Sequence, residues 1–430
     1  MKVAILYSEV KELKTGLPDE LQAERDVINT VTAIQSALVR QGHEASKVKY
    51  THNVIEELKE GEYNVVFNLC DSFEEDTSLE PHIPAALALV GIPCTGCSSR
   101  CLNLTLDKAV FKNVLAHHDI GVPKLQIFED AEAKFKLDFP AIVKPLHEGA
   151  SIGIRNENLV KNEEQLRERI NFILKTYDQP AIVEEFLPGT EYSVPIIGPT
   201  NDPVVLPIVE KDFGHLPPGA NPIMSFEAKW QWSITNPDGS DPSFKIAQNL
   251  DPSLEAKLIE MCKKSYKLLD CSGYCRFDIR LDAQGEPKII DVNSNPGIDP
   301  SYEVGMAAKH VGIGFDELVM RIVDCAVKEK VQRDVPAQLE FKIVSDLTEC
   351  EALWKKYSTD EHMFDLWEYR ACLYDPNFFV PHFIIGYKEG EEIGILPLWN
   401  NKLTKDYTFF GEYFPERNKI LMKDKKYFLD

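Results

Sequence analysis

The 430 residues predict an α/β protein that passes into α+β architecture, with a small aromatic-rich α+β module at its C-terminus. Three observations predict it. Over residues 1–105, short apolar runs alternate with segments of helical period, the pattern of parallel strands joined by crossovers. Residues 106–330 hold apolar runs bounded by Gly, Pro and polar loops, with a helical segment at each end. The last hundred residues carry 19 aromatics against 23 in the preceding 330, a shift that marks residues 337–430 as a separate unit behind the linker Val331–Pro336.

In chain order, Val3–Tyr7 is a short apolar strand. Val27, Val31, Ile34, Leu38 and Val39 give Ala23–Gln41 a helical stripe that Gly42 stops. Asn64–Leu69 is a second buried strand, Ile83–Val90 a helix ended by Gly91, and Ile92–Cys94 leads into another short strand. No Gly-x-Gly-x-x-Gly follows the first strand, which argues against a dinucleotide-binding unit. Leu106–His118 reads as a helix, Phe139–Pro145 as a strand ending near Lys144, Gly149–Gly153 as a flexible loop, and Ala181–Leu187 as a strand. Further strands are expected around Val204–Val209, Cys275–Leu281 and Pro287–Val292, and a helix over Gly314–Lys330. Phe213–Pro242, rich in Pro and Gly, reads as a long functional loop.

Composition narrows the function. Hydrophobic residues are 44% and charged residues 27%, an ordinary globular balance that excludes wholesale disorder. Lys and Arg number 47 against 69 Asp and Glu, a net charge of −22. Phosphate backbones and anionic membranes need clustered cations, so neither nucleic acid nor membrane is an expected partner. A nucleotide held in one local basic pocket remains open. The apolar stretch after Met1-Lys2 lasts five residues, too short for a signal peptide, and no run reaches the roughly 18 apolar residues of a membrane helix. With ten cysteines, far from a disulfide scaffold, the expectation is a soluble protein of the reducing cytoplasm. Cys94, Cys97 and Cys101 have C-x2-C-x3-C spacing, and Cys271 and Cys275 have three residues between them. They are either a shared zinc site or plain buried and loop thiols; the lack of a nearby His-x3–5-His pair favours thiols.

The densest chemistry lies in Arg276-Phe277-Asp278 and Asp291-Val292-Asn293-Ser294-Asn295-Pro296-Gly297. Alternation puts Arg276 and Asp278 on one strand face, and Asp291 and Asn293 on one face of the next. Paired strands would bring together two carboxylates, an amide oxygen and a guanidinium, a hard-oxygen set suited to magnesium or manganese. The bland alternative is a structural ion pair. Lys108, Lys144 and Lys229 form a second, cationic group. An unpaired ammonium at the end of an apolar strand is costly, and a phosphate would explain Lys144; a snorkelling lysine is the alternative. The loop around Ser151 has the small residues that let backbone N–H groups approach a polyphosphate. Glu184-Glu185-Phe186-Leu187, with Glu191 beyond, can present a strand edge to adenine and carboxylates to its amine and ribose hydroxyls.

With those motifs in this order, the chain resembles the ATP-grasp ligases, in particular the D-alanine–D-alanine ligase group, over roughly residues 1–328. The resemblance implies an N-terminal α/β domain (1–105) and an ATP-grasp domain (106–330) whose subdomains, 106–195 and 196–330, clamp ATP. It implies transfer of the γ-phosphate to a carboxylate and attack of an amine on the acyl phosphate. Lys108 and Lys144 are then phosphate lysines, Ser151 belongs to the phosphate-covering loop, and Glu184, Glu185, Phe186 and Leu187 form the adenine hinge with Glu191 on ribose. Lys229 reaches the γ-phosphate. Asp278, Asp291 and Asn293 hold Mg2+ or Mn2+, and Arg276 stabilises the tetrahedral oxyanion. In Gln22-Ala23-Glu24-Arg25-Asp26, Glu24 binds the ammonium of the first substrate. Asn295, Gly297 and Tyr302 fall at the second substrate. The implied partners are small carboxylates and amines, with a homodimer as the assembly.

The departures fall on the substrate side. Leu69–Asp76 replaces a His-Gly segment followed by Gly-Glu-Asp, Ala150 stands in place of a serine, Trp230 in place of a tyrosine, and Tyr302 in place of a serine. The expectation is ligase chemistry with a different acid or acceptor from D-alanyl-D-alanine synthesis. In the C-terminal part, Phe383–Leu398 reads as a hairpin with a charged turn, resembling the opening half of a GNAT/FemAB-like acyltransferase domain without its later Gly-rich loop. It is either an incomplete acyltransferase or a small module without activity. An ATP-binding module without turnover is the remaining alternative for the whole chain.

Overall fold

A computed structural model describes residues 1–10, 13–22, 27–73, 76–232, 241–334, 339–358, 365–388, 390–411 and 421–422. The chain forms two compact units, Met1–Lys330 and Val331–Asp430.

The first unit opens with β1 (Lys2–Tyr7), α1 (Val27–Arg40), β2 (Glu44–Lys49), α2 (Val54–Glu60), β3 (Val65–Leu69) and α3 (His82–Leu89). The strands run parallel in the order β2-β1-β3, and Cys94 adds one parallel bridge to Val66. β1 and β3 are buried apolar strands; β2, Glu-Ala-Ser-Lys-Val-Lys, is a largely polar edge strand that no apolar run announces. The expected long helix at Leu106–His118 is instead two helices, α4 (Ser99–Leu106) and α5 (Lys108–His117). Asp107 separates them, extended at φ −89° and ψ 105°, and its carboxylate caps α5 through the amides of Ala109 and Val110.

A four-stranded antiparallel sheet follows: β4 (Leu125–Phe128), β5 (Ala141–Pro145), β6 (Leu159–Val160), then α6 (Glu163–Tyr177) and β7 (Ala181–Glu185), in the order β4-β7-β5-β6. The second antiparallel sheet has the path β11-β10-β8-β12-β13, with β9 on β8. Its strands are β8 (Glu191–Gly198), β9 (Val204–Val205), β10 (Val209–Lys211), β11 (Phe244–Ile246), β12 (Gly273–Leu281) and β13 (Pro287–Asn293). Helix α7 (Pro252–Leu268) precedes β12, and α8 (Glu303–His310) and α9 (Phe315–Asp334) come after β13. The stretch read as a long loop contains a five-residue helical turn, Glu227–Gln231; residues 233–240 lie outside the described residues.

β12 sets the chemistry. Cys275, Phe277 and Ile279 point into an apolar core with Tyr266, Leu269 and Val292, so the alternate residues Arg276, Asp278 and Arg280 face the other way. Burial of one face fixes this register, because a slip of one residue would expose the apolar set.

The second unit holds β14 (Leu339–Val344), α10 (Leu347–Tyr357), α11 (Trp367–Ala371), β15 (Phe379–Lys388), β16 (Glu391–Asn401), β17 (Tyr407–Phe409) and β18 (Leu421–Met422). Its sheet is antiparallel, β14-β15-β16-β17 with β18 on β16. The core is aromatic: Trp367 stacks on Phe410 at 5.1 Å, and Trp354, Phe383 and Trp399 close around them.

Candidate functional site

One cavity of about 350 Å3 opens within the first unit. Lys108, Lys144, Ser151, Glu184, Glu185, Phe186, Leu187, Glu191, Lys229, Arg276, Asp278, Asp291, Asn293, Asn295, Gly297 and Tyr302 all line it. They come from distant parts of the chain, brought together by the two antiparallel sheets. Glu24 lies outside the described residues.

The acidic end is built by strand pairing. Arg276 stands opposite Asn293, and Asp278 opposite Asp291. After Asp278 the register shifts, so that Ile279 pairs with Ile289 and Ile290 has no partner in the ladder. Asp278 accepts from Ser193 Oγ at 2.6 Å and pairs with Arg276 at 2.9 Å and Lys211 at 3.4 Å. Burial alone would raise its carboxyl; Arg276, then Lys211, hold it well below the ordinary carboxylate range. Arg276 also reaches Glu303, the first residue of α8, at 3.3 Å. Asp291 differs: its carboxylate accepts the Val292 amide at 3.1 Å and has no cation within ion-pair distance among the described residues.

The basic end holds two kinds of lysine. Lys144 Nζ lies 2.9 Å from Glu184 Oε2, and Lys112 Nζ hydrogen-bonds the other oxygen of the same carboxylate. All three side chains are buried. Burial would push the Glu184 carboxyl up, but the ammonium groups of Lys112 and Lys144 override it and hold it down to about 2. Glu184 therefore anchors two cations at the cavity wall. Lys108, at the first position of α5, donates to the carbonyl of Glu148 beside the Ser151 loop. Lys229 has no hydrogen-bond or ion-pair partner for its ammonium among the described residues; it lies 5.0 Å from the ring centre of Trp230. Burial first, then the Arg276 guanidinium, push it down to about 8.

Glu191 is buried between Lys211 and Arg280, 3.0 Å from each. The Arg280 guanidinium lies over the Phe186 ring at 4.9 Å. Glu185 accepts the amide of Lys124 at 2.9 Å. Lys112, Lys211, Arg280, Ser193 and Glu303 complete the site, and none was singled out from the sequence. Three of them had a signal. Arg280 continues the alternation of Arg276 and Asp278, Lys211 shares a strand face with Val209, and Lys112 is one helical turn from Lys108.

Two segments close over the cavity. Ala150 and Ser151 both take positive φ, 50° and 65°, and Ser151 Oγ donates to the carbonyl of Met224 at 2.9 Å. Trp230 Nε1 donates to the carbonyl of Ala150 at 3.1 Å. Gln22 reaches the carbonyl of Trp230 at 3.2 Å, and Arg155 binds Asp19 through two bonds of 2.8 Å.

At the far end, Asn295 accepts from the Tyr274 hydroxyl at 2.9 Å and donates to Glu80 at 3.2 Å. Burial, then the Asp71 carboxylate, push Glu80 up to about 8. A Cβ on Gly297 would fall 2.6 Å from the Tyr302 ring, so glycine is what lets that ring sit over the exit turn.

Residues 105–324 match the family described as the D-ala D-ala ligase C-terminus. A D-alanine–D-alanine ligase of Actinobacillus pleuropneumoniae is 30% identical over 332 residues, covering 75% of this chain and 97% of the relative. An uncharacterized protein of Sinorhizobium fredii is 30% identical over 263 residues, 61% of this chain and 74% of that protein. In structure, the D-alanine–D-alanine ligase of Bacillus anthracis complexed with ATP superposes with a TM-score of 0.60 at 18% identity, covering 77% of this chain and 99% of that one. By both the family match and the full-length relative, the chain belongs to the D-alanine–D-alanine ligase family and is an ATP-dependent ligase that forms C–N bonds.

Proposed function

We propose that this ligase phosphorylates a small carboxylic acid with ATP and joins the acyl phosphate to an amine, and that its acid or its acceptor is not D-alanine. In this reading residues 106–195 and 196–330 are the two lobes of the ATP clamp. One observation carries it: a single cavity is lined both by Lys229, which has no ion-pair partner among the described residues, and by Asp291, which has no cation within ion-pair distance among them. A bound polyphosphate and its metal ion would satisfy both.

The donor set fits a hard divalent cation, since Asp278, Asp291 and Asn293 offer oxygen ligands and Asp291 has no cation within ion-pair distance among the described residues. Mg2+ or Mn2+ held there supplies charge neutralisation on the phosphate oxygens. Lys108, Lys144 and Lys229 bind and orient the phosphates. Glu184 keeps Lys144 charged and fixed, so that no reorganisation is needed when the anion enters. Phe186, Leu187, Glu185 and Glu191 form the nucleoside end. Arg276, held by Asp278 and Glu303, is placed to stabilise the oxyanion as the amine attacks the acyl phosphate and phosphate leaves. The contact of Trp230 with Ala150 closes the site, because water would otherwise hydrolyse the intermediate.

The acceptor end supports a different substrate. Asp71 and Glu80 place two carboxyl groups beside Asn295. Such a wall suits an acceptor carrying a cationic group, whose charge would hold both carboxyls ionised. For the second unit, the antiparallel sheet and stacked aromatic core support a packed α+β module; its acyltransferase likeness is testable by coenzyme A binding.

The experiment is ADP and phosphate release from magnesium-ATP over pooled D- and L-amino acids and small carboxylates, with hydroxylamine as the trap. A hydroxamate formed with one acid, and lost in Asp291→Ala, names the donor. Hydroxamate and ligation product from D-alanine alone would overturn the substrate claim. ATP binding without release in any pool would overturn the ligase mechanism proposed for this site.

A further inference from the structure

The two cysteine groups converge in the first unit, away from the nucleotide cavity. Cys97 precedes α4, Cys101 lies in its first turn, Cys271 follows α7, and Cys275 sits on the inward face of β12. All four are buried, three of them at 0% exposure. The sulfur atoms of Cys97, Cys101 and Cys271 lie within 4.8 Å of one another, with Cys101 and Cys271 3.5 Å apart. Cys275 stands outside that close triad and is buried in the same core cluster.

The backbone is fitted to bring the two segments together. Gly96 and Gly273 both take positive φ, 86° and 72°. A Cβ on Gly273 would lie 3.0 Å from the Gly96 nitrogen, so the segment bearing Cys97 and the segment bearing Cys271 and Cys275 meet backbone to backbone. The Ser272 amide points at Cys97 Sγ from 3.5 Å.

We propose that Cys97, Cys101, Cys271 and Cys275 form a structural zinc site that ties the N-terminal α/β region to the β8–β12 sheet. A tetrahedral zinc with Zn–S bonds of about 2.3 Å sets its sulfurs roughly 3.8 Å apart, within the spread of Cys97, Cys101 and Cys271, and a change of side-chain rotamer brings in Cys275 as the fourth ligand. Soft thiolates in a closed, dry site select zinc over the hard cations of the nucleotide cavity. Sulfurs this close leave room for one ion and none for inorganic sulfide, which separates the site from an iron–sulfur cluster. On binding, each thiol gives its proton to solvent as its Zn–S bond forms, with no change of oxidation state. The Ser272 amide then donates to the Cys97 thiolate, the outer contact that metal ligands commonly keep. The proposal is independent of which substrates the ligase uses.

The test uses the full chain, stripped with a chelator under reducing conditions and titrated with cobalt(II), then zinc(II). The expected result is about one equivalent of cobalt giving tetrahedral d–d bands and thiolate-to-cobalt charge transfer, both bleached by zinc. The spectrum persists in Asp291→Ala, which separates it from the carboxylate site, and is lost in Cys101→Ser/Cys271→Ser. Absence of the charge-transfer band in the wild-type chain overturns the proposal whether or not the cysteine variant folds. So does a band that survives the double substitution in folded protein, a Cys101–Cys271 disulfide found by mass spectrometry in protein purified without oxidant, or iron with acid-labile sulfide.

Discussion

Asp278 stands directly opposite Asp291 on paired strands, yet Asp278 is bound by Arg276, Lys211 and Ser193 while Asp291 accepts a backbone amide and has no cation within ion-pair distance among the described residues. The two carboxylates should therefore fail differently. Asp278→Asn takes one of two carboxylate partners from each of two buried cations, leaving Arg276 to Glu303 and Lys211 to Glu191, and should cost about 3 kcal/mol of stability. Asp291→Asn should change stability by less than about 1 kcal/mol and lower metal-dependent ADP release by about two orders of magnitude. Urea denaturation read beside turnover separates the two, and equal destabilisation would refute the division of roles.

The Glu184 carboxyl predicts an acid signature. Its pKa is lowered from the ordinary 4.5 to about 2, so its stabilising contribution is complete above 4.5 and disappears as pH falls through 2. The Tm difference between wild type and Glu184→Gln should be constant from neutral pH down to about 5 and close below that. A gap that widens toward acid would contradict the Lys112–Glu184–Lys144 arrangement. Lys112→Met should destabilise by about 2 kcal/mol, less than loss of the carboxylate, because Lys144 still pairs with it.

Lys229 predicts proton uptake. Its ammonium is pushed down to about 8 in the open cavity, and a bound polyphosphate favours the charged form. Binding of ATP between pH 8 and 9 should take up a fraction of a proton and weaken as pH rises. Calorimetry in buffers of different ionisation enthalpy measures the uptake. Lys229→Met should abolish it.

Trp230 predicts leakage. Trp230→Ala removes the hydrogen bond to Ala150 and the ring beside Lys229. With the cover loosened, water should compete for the acyl phosphate, so phosphate released per amide formed should rise several-fold while ATP binding changes little. An unchanged ratio at reduced turnover would place the residue in catalysis instead of closure.

Much of this site is readable from strand alternation. Arg276, Asp278, Asp291 and Asn293 need only a period of two and the pairing of neighbouring strands to converge, and β13 does pair with β12. Val3–Tyr7 and Asn64–Leu69 announce themselves because both faces are buried and the runs are mainly apolar, Asn68 being the polar residue inside β3. β2 does not, since a polar edge strand looks like loop. The partners of Asp278 and Glu184 are harder still. Lys211 and Ser193 sit on strands remote in sequence, and their meeting is a property of the sheet order β10-β8-β12. The division of Leu106–His118 into two helices turns on the single extended residue Asp107, whose capping role is clear only once the break is seen.

β12 carries two unrelated chemistries on its two faces, Arg276, Asp278 and Arg280 on one and the Cys275 thiol with Phe277 and Ile279 on the other. That two-sidedness limits how the gene can drift. One codon inserted between Gly273 and Asp278 would exchange the faces, turning sulfur toward the nucleotide and ionic side chains into the apolar interior. Exchanges of one residue for another can be tried along this strand, but changes of its length cannot, so divergence among descendants of this chain should be sought in the connecting loops.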